Sequence, residues 1–219
     1  DPRIEAVHAE LAPGSAPGLA KLHVRTEEAR PWHGALDGGT LQSPSVGGWR
    51  VGGALWHDDL LGFGDTLRAS YGWTEGLNDY DGIYSFPVNG FDGRIEAYGR
   101  YGDSQVIEEP VVDLQVESIA WTAGAGFLQP VIQKPGAQIS VALRGEVRES
   151  RTFLLGEPFS FSPGLDDGRA RIAVLRFVQD LLLRDEQQVF AARSMLSFGL
   201  DLFDSTHVFG GFGDGRFFS

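Results

Sequence analysis

The 219-residue chain contains no cysteine, which excludes a disulfide framework, thiol catalysis and thiolate metal sites. No apolar run approaches the roughly 18 residues of a transmembrane helix. Basic residues are few. Eighteen Lys and Arg stand against 30 Asp and Glu, a net charge of −12, so nucleic acid is excluded as the main partner. The start, Asp1-Pro2-Arg3, carries no signal peptide, so the chain reads as a cytosolic protein, a mature chain or an internal fragment. Catalytic patterns are missing too. His8, His23, His33, His57 and His207 are scattered without zinc spacing, and there is no GxSxG elbow. Gly210-Gly211-Phe212-Gly213-Asp214-Gly215 is not followed by a helix to hold phosphate. His57-Asp58-Asp59 reads as a polar turn, and Glu108-Glu109 with Asp113 as a solvated loop, rather than as metal shells. The chain is expected to be no enzyme and to need no cofactor or metal.

What is present is a rhythm. Glycine is abundant (30 residues) and aromatics make up 11%, a balance typical of antiparallel strands with many turns. Gln138 to Glu149 shows the pattern best: Ile139, Val141, Leu143 and Val147 fall on one parity, and Arg144, Glu146 and Arg148 on the other. A period of two means a strand with two different faces. Nine strands are expected from Trp32 on: Trp32–Gly39, Gly48–His57, Asp65–Glu75, Asp79–Pro87, Gly93–Asp103, Val116–Leu128, Ala137–Glu149, Ala170–Leu181 and Val189–Asp201. Their connections alternate between short turns and longer loops, with Gly76–Asn78 the exception. That alternation is the signature of an outer-membrane β-barrel. Before it, Arg3–Leu11 and Leu19–Thr26 read as two short strands, too few for a domain of their own.

Charge parity predicts which face is wet. An Arg on the lipid face costs about 2–4 kcal/mol at mid-membrane. Arg50, Arg68, Arg94, Glu96, Arg100, Arg144, Glu146 and Arg148 are therefore expected to point inward and line a pore. Arg171 and Arg176 have opposite parity, which places one of them near an interface or a bulge. Trp32, Trp49, Trp56, Trp73, Tyr71 and Tyr101 are expected in aromatic girdles. The same alternation also suits a soluble β-sandwich binding module.

Particular words go further. Asp59-Leu60-Leu61-Gly62-Phe63-Gly64-Asp65 resembles the first periplasmic turn of the two-partner secretion transporters, with Asp58-Asp59 where Asn-Asn is usual. Tyr71-Gly72-Trp73-Thr74-Glu75-Gly76-Leu77 and Tyr84-Ser85-Phe86-Pro87-Val88 resemble the next hairpin of that haemolysin activation/secretion family. Arg151-Thr152-Phe153-Leu154-Leu155-Gly156-Glu157-Pro158-Phe159-Ser160-Phe161 resembles a long surface loop of one branch. Asp1-Pro2-Arg3-Ile4-Glu5 and Glu27-Glu28-Ala29-Arg30-Pro31 look like the end of the second POTRA domain and its junction with the barrel.

The resemblance implies a fold and a function. The fold is all-β, an antiparallel up-and-down transmembrane barrel of 16 strands, of which about nine lie here. Residues 1–31 would be the end of an α+β POTRA domain and residues 32–219 an incomplete barrel. The function would be translocation of an unfolded exoprotein from periplasm to cell surface without ATP, with that exoprotein and outer-membrane lipid as partners. Residues 1–31 would lie in the periplasm. The alternative within the superfamily is assembly of other outer-membrane proteins. The family's Val-Arg-Gly-Tyr/Phe loop has no match, and nine is an odd count where single-chain bacterial barrels have even ones. The chain is therefore expected to be an internal fragment, with Phe217-Phe218-Ser219 a truncation point rather than a barrel's terminal aromatic.

Overall fold

The computed structural model describes residues 3–15, 19–40, 42–161, 167–203 and 205–206. The glycine-rich stretch 210–215, His207 and the closing 217–219 lie outside them.

Two strands, β1 (Ile4–Pro13) and β2 (Ala20–Glu28), form a separate two-stranded antiparallel hairpin. Ala29 returns a backbone hydrogen bond to Arg3 across its open end. Then follow β3 (Trp32–Gly39), β4 (Arg50–Asp58), β5 (Thr66–Thr74), β6 (Leu77–Pro87), β7 (Arg94–Gln105), β8 (Glu117–Lys134) and β9 (Ala137–Leu154). After the two-residue β10 (Glu157–Pro158), which folds back on β9, come β11 (Arg169–Arg184) and β12 (Val189–Leu200). Apart from β10, each strand pairs antiparallel with the next, giving one continuous sheet with β3 and β12 at its ends. Among the described residues the helical segments are the short 3₁₀ turns Pro44–Val46 and Val112–Leu114, and no helix is long and apolar enough to cross a membrane.

The nine expected strands are thus present in the expected order. Two run further than anticipated. Strand β8 is expected to stop at Leu128, and Pro130 cannot donate to a ladder. The sheet instead absorbs Pro130 with a register shift between Pro130 and Ile132, and pairing continues to Lys134. Strand β9 is expected to end at Glu149. It continues to Leu154, so part of the expected surface loop 150–169 is ladder.

The word Asp59-Leu60-Leu61-Gly62-Phe63-Gly64-Asp65 has a physical basis in the β4–β5 turn. Gly62 and Gly64 sit at φ +83° and +76°, backbone that side chains rarely adopt. The two flanking aspartates hold the loop from inside. Asp59 Oδ1 accepts the Gly64 N–H at 2.6 Å, and Asp65 Oδ1 accepts the Leu61 N–H at 3.0 Å. Tyr84 donates its hydroxyl to Asp65 Oδ2 at 2.9 Å from the next hairpin. Asp65 is fully buried. Burial pushes its carboxyl up, but the Leu61 amide and the Tyr84 hydroxyl outweigh that and hold it below the ordinary aspartate value.

The sheet does not enclose a packed core. Among the described residues the buried apolar side chains are Ala142, Ala173, Val174 and Val178 alone, while Leu36, Leu55, Ile95, Leu143, Phe190 and many other large apolar residues are exposed. The alternative, a sandwich, would need a second layer over one face, and the only other described sheet is the β1–β2 hairpin.

Because the folded Asp65 is more acidic than the unfolded one, its stabilisation is complete above the ordinary value of roughly 4 and is lost as pH falls below it. Asp65→Asn should cost about 2 kcal/mol at pH 7 and flatten that acid limb. Urea midpoints of the detergent-folded protein across pH 3 to 7 would measure both.

Candidate functional site

Register decides which side chains share a face, because residues directly opposite on antiparallel strands point the same way. Arg50 lies opposite Gly39, and Arg68 lies opposite Trp56 and Ile83. Arg94, Glu96 and Arg100 lie opposite Pro87, Ser85 and Asp81 on one side. On the other they meet Leu128, Gly126 and Thr122, and those last two lie opposite Arg144 and Arg148. Following these pairings across the sheet puts all eight sequence-predicted residues, Arg50, Arg68, Arg94, Glu96, Arg100, Arg144, Glu146 and Arg148, on one face.

They are tied into networks there. Arg50 bridges Asp37 at 3.2 Å and Asp79 at 2.8 Å. Arg100 meets Asp81 at 2.7 Å, and Arg94 donates to the Ser85 hydroxyl at 2.7 Å. Arg144 reaches Glu96 at 3.2 Å. Glu146, almost fully buried, is a hub: it takes Arg148 at 2.6 Å, the Tyr98 hydroxyl at 2.7 Å, and Arg176. Arg193 continues the pattern with Asp180 at 3.0 Å. Arg68 lies over the Trp56 ring at 5.1 Å.

Several of these ties skip a strand, and each crosses a glycine. Arg50 on β4 reaches Asp79 on β6 over Gly72 of β5, where a Cβ would collide with the guanidinium. Tyr98 on β7 reaches Glu146 on β9 over Gly124 of β8. Arg144 on β9 leans over Gly126 of β8 to Glu96 on β7. A side chain at any of these positions would cut the contact between the flanking strands.

The opposite face is apolar and aromatic. Trp49 packs on Trp73 with ring centroids 5.1 Å apart, and Tyr80 lies between Tyr71 (4.8 Å) and Tyr101 (6.1 Å). Trp32 meets His57 edge-on at 4.6 Å. Trp56 corrects the girdle expectation: it shares the ionic face, stacked on His33 at 5.4 Å. Arg176 lies on the ionic face opposite Arg144, whereas Arg171 lies on the apolar side opposite Glu149, with no register shift between them.

Sequence reasoning missed the acidic and phenolic partners, Asp37, Asp79, Asp81 and Tyr98. The two-residue turn Glu75-Gly76 fixes Gly72 opposite Asp79 and so carried the signal. Neither His57-Asp58-Asp59 nor Glu108-Glu109 with Asp113 forms a metal cage among the described residues. His33 faces Asp58 at 3.3 Å instead.

The sheet has counterparts among solved structures. CdiB from Escherichia coli superposes with a TM-score of 0.74 at 15% identity, over 98% of this chain and 40% of that one. CdiB from Acinetobacter baumannii gives 0.60 at 14% identity, over 90% and 38%. BamA from Haemophilus ducreyi, in a structure lacking POTRA domains 1–3, gives 0.56 at 13% identity, over 94% and 40%. At these identities the likeness is one of fold, and the chain spans about two fifths of each counterpart. No family model and no curated protein matches the sequence.

Gly124→Leu should drive Tyr98 off Glu146 and cost about 2–3 kcal/mol, more than Tyr98→Phe. Gly145→Ala, where an added Cβ meets nothing within 4 Å, should be near neutral. Unfolding midpoints of the three detergent-folded variants would rank them.

Proposed function

We propose that residues 32–219 form part of an outer-membrane β-barrel whose ionic face lines an aqueous path, and that the whole protein passes an unfolded exoprotein to the cell surface in two-partner secretion. The observation that carries this reading is the segregation of one continuous sheet. One face holds ion pairs that reach across strands, and the other holds exposed apolar and aromatic side chains with no protein layer against them among the described residues. Such an apolar face needs lipid as its solvent. The fold shared with CdiB supports an outer-membrane reading, and the turn words at Asp59–Asp65 and Tyr84–Val88 support the transport reading.

In this reading the β1–β2 hairpin, within residues 1–31, is the end of a periplasmic POTRA domain. The turns after β4, β6, β8 and β11 face the periplasm, and the other connections, longer except for the two-residue turn between β5 and β6, face outward. Arg50, Arg68, Arg94, Glu96, Arg100, Arg144, Glu146 and Arg148 hydrate the lumen. Most of these charges are paired with a carboxylate, so the wall is wet without a strong field of one sign, as an extended chain of arbitrary sequence requires. Transport is non-enzymatic and draws on no cofactor. The likeness to BamA favours a second reading within the same superfamily, assembly of other outer-membrane proteins.

Deletion of the full gene should abolish surface delivery of one large exoprotein while leaving the outer-membrane protein profile intact. A general loss of outer-membrane proteins would select the second reading. The purified full-length protein should conduct ions in planar bilayers, and absence of any conductance would remove the pore. Leu143→Arg should impair membrane assembly far more than Arg144→Leu, by about 2–4 kcal/mol if it meets lipid. Equal yields of heat-modifiable protein from the two would reverse the face assignment.

A further inference from the structure

One charged cluster sits on the wrong face. Glu149, Arg151, Arg169 and Arg171 have the parity of the apolar side, opposite the ionic network. The Glu149 side chain is 1% exposed and takes three guanidinium groups: Arg151 Nε at 2.7 Å, Arg169 Nη2 at 3.0 Å and Arg171 Nε at 2.5 Å. Three cations around one carboxylate leave an excess of positive charge among the described residues. Arg151 and Arg169 stand directly opposite one another on β9 and β11, a like-charge pairing that a sheet ordinarily avoids.

Donors remain open in this cluster. Arg171 is committed: it gives Nη1 to the Phe203 carbonyl at 2.9 Å and lies 5.9 Å over the Trp121 ring. Arg169 Nε is shielded from solvent and has no hydrogen-bond acceptor among the described residues. The side chains of Arg151 and Arg169 are 52% and 41% exposed, so their outer edges face away from the sheet.

Position specifies what reaches those edges. On β9 the outward residues from Ile139 through Val141, Leu143 and Gly145 to Val147 carry no charge, and on β11 neither do those from Leu183 to Ala173. Ile139 to Val147 spans about 26 Å of strand, or on the order of 20 Å of depth at a barrel's tilt, close to the apolar band of such a wall. The cluster begins at the next outward residue of each strand, on the side of the longer loops. There the apolar wall gives way to headgroups.

On the membrane reading above, we propose that Arg151 and Arg169 clasp a phosphate of an anionic lipid headgroup in the outer leaflet, with Glu149 and Arg171 orienting the two forks. Two planar guanidinium groups held a strand apart match a tetrahedral oxyanion, and a lipid phosphate supplies the missing negative charge at their exposed edges. Trp121 beside them provides the amphipathic surface usual at that depth.

The test is native mass spectrometry of the full-length protein in zwitterionic detergent. It is titrated separately with bis-phosphorylated lipid A, the same lipid dephosphorylated, and inorganic phosphate. The wild type should retain one phosphorylated lipid, and Arg151→Gln with Arg169→Gln should weaken that binding by about tenfold or more. Arg151→Lys with Arg169→Lys keeps the charge without the fork and should fall between. If the glutamine pair fails to fold, undiminished binding by the lysine pair overturns the proposal. So does equal binding of the dephosphorylated lipid, or inorganic phosphate binding as tightly as the lipid. Absence of the wild-type protein from the outer-membrane fraction would overturn the membrane reading itself, and this proposal with it.

Discussion

The antiparallel ladder from β3 to β12 is the constraint on which the other features depend. Its side-chain period is two, so a single unpaired residue in mid-sheet would send every residue beyond it to the opposite face. Between β3 and β12 the pairing shifts once, between Pro130 and Ile132, near the tight turn joining β8 to β9. All eight lumen candidates lie on the other side of that shift, where register is unbroken. The ionic face is therefore a property of backbone pairing first and of side-chain chemistry second.

Given that ladder, the two faces solve different problems. The ionic face keeps its charges paired with partners on neighbouring strands, as at Glu146, where two arginines and a tyrosine hydroxyl converge. Breaking one partner of so enclosed a hub leaves a charge with neither water nor counterion. The apolar face instead relies on uncharged breadth, with Trp49, Trp73, Tyr71, Tyr80 and Tyr101 laid edge to edge. The Glu149 cluster marks where that second regime ends.

Much of this was legible in the sequence because the signal was periodic. Alternation located all nine strands, and charge parity put the eight residues together before any contact was known. What escaped reading broke the period. The end of β8 was set too early because a bulge at Pro130 leaves no trace in hydropathy. Arg151 read as loop although the ladder runs on through it, its charge on the apolar parity. Trp56 read as girdle because tryptophans gather at interfaces, yet its even numbering matched Arg50 and placed it inside. Glycines read only as turn formers, and the roles of Gly72, Gly124 and Gly126 required knowing what passes over them.

Those glycines bear on an error that hydropathy cannot prevent. Sliding one strand past its neighbour by a single residue would expose charge to the apolar side and is self-correcting. Sliding it by two preserves the apolar and polar sides and every backbone hydrogen bond but the last. Between β7 and β8, such a slide would set Tyr98 over Thr122 or Gly126 instead of Gly124, and Glu96 over Leu128 or Gly124 instead of Gly126. In either direction one of the two bulky residues loses its glycine, and its reach to the proper partner on β9 is lost with it. A sheet whose two sides are each chemically uniform thus carries a second code, written in side-chain volume, that distinguishes correct pairing from its nearest silent mispairing.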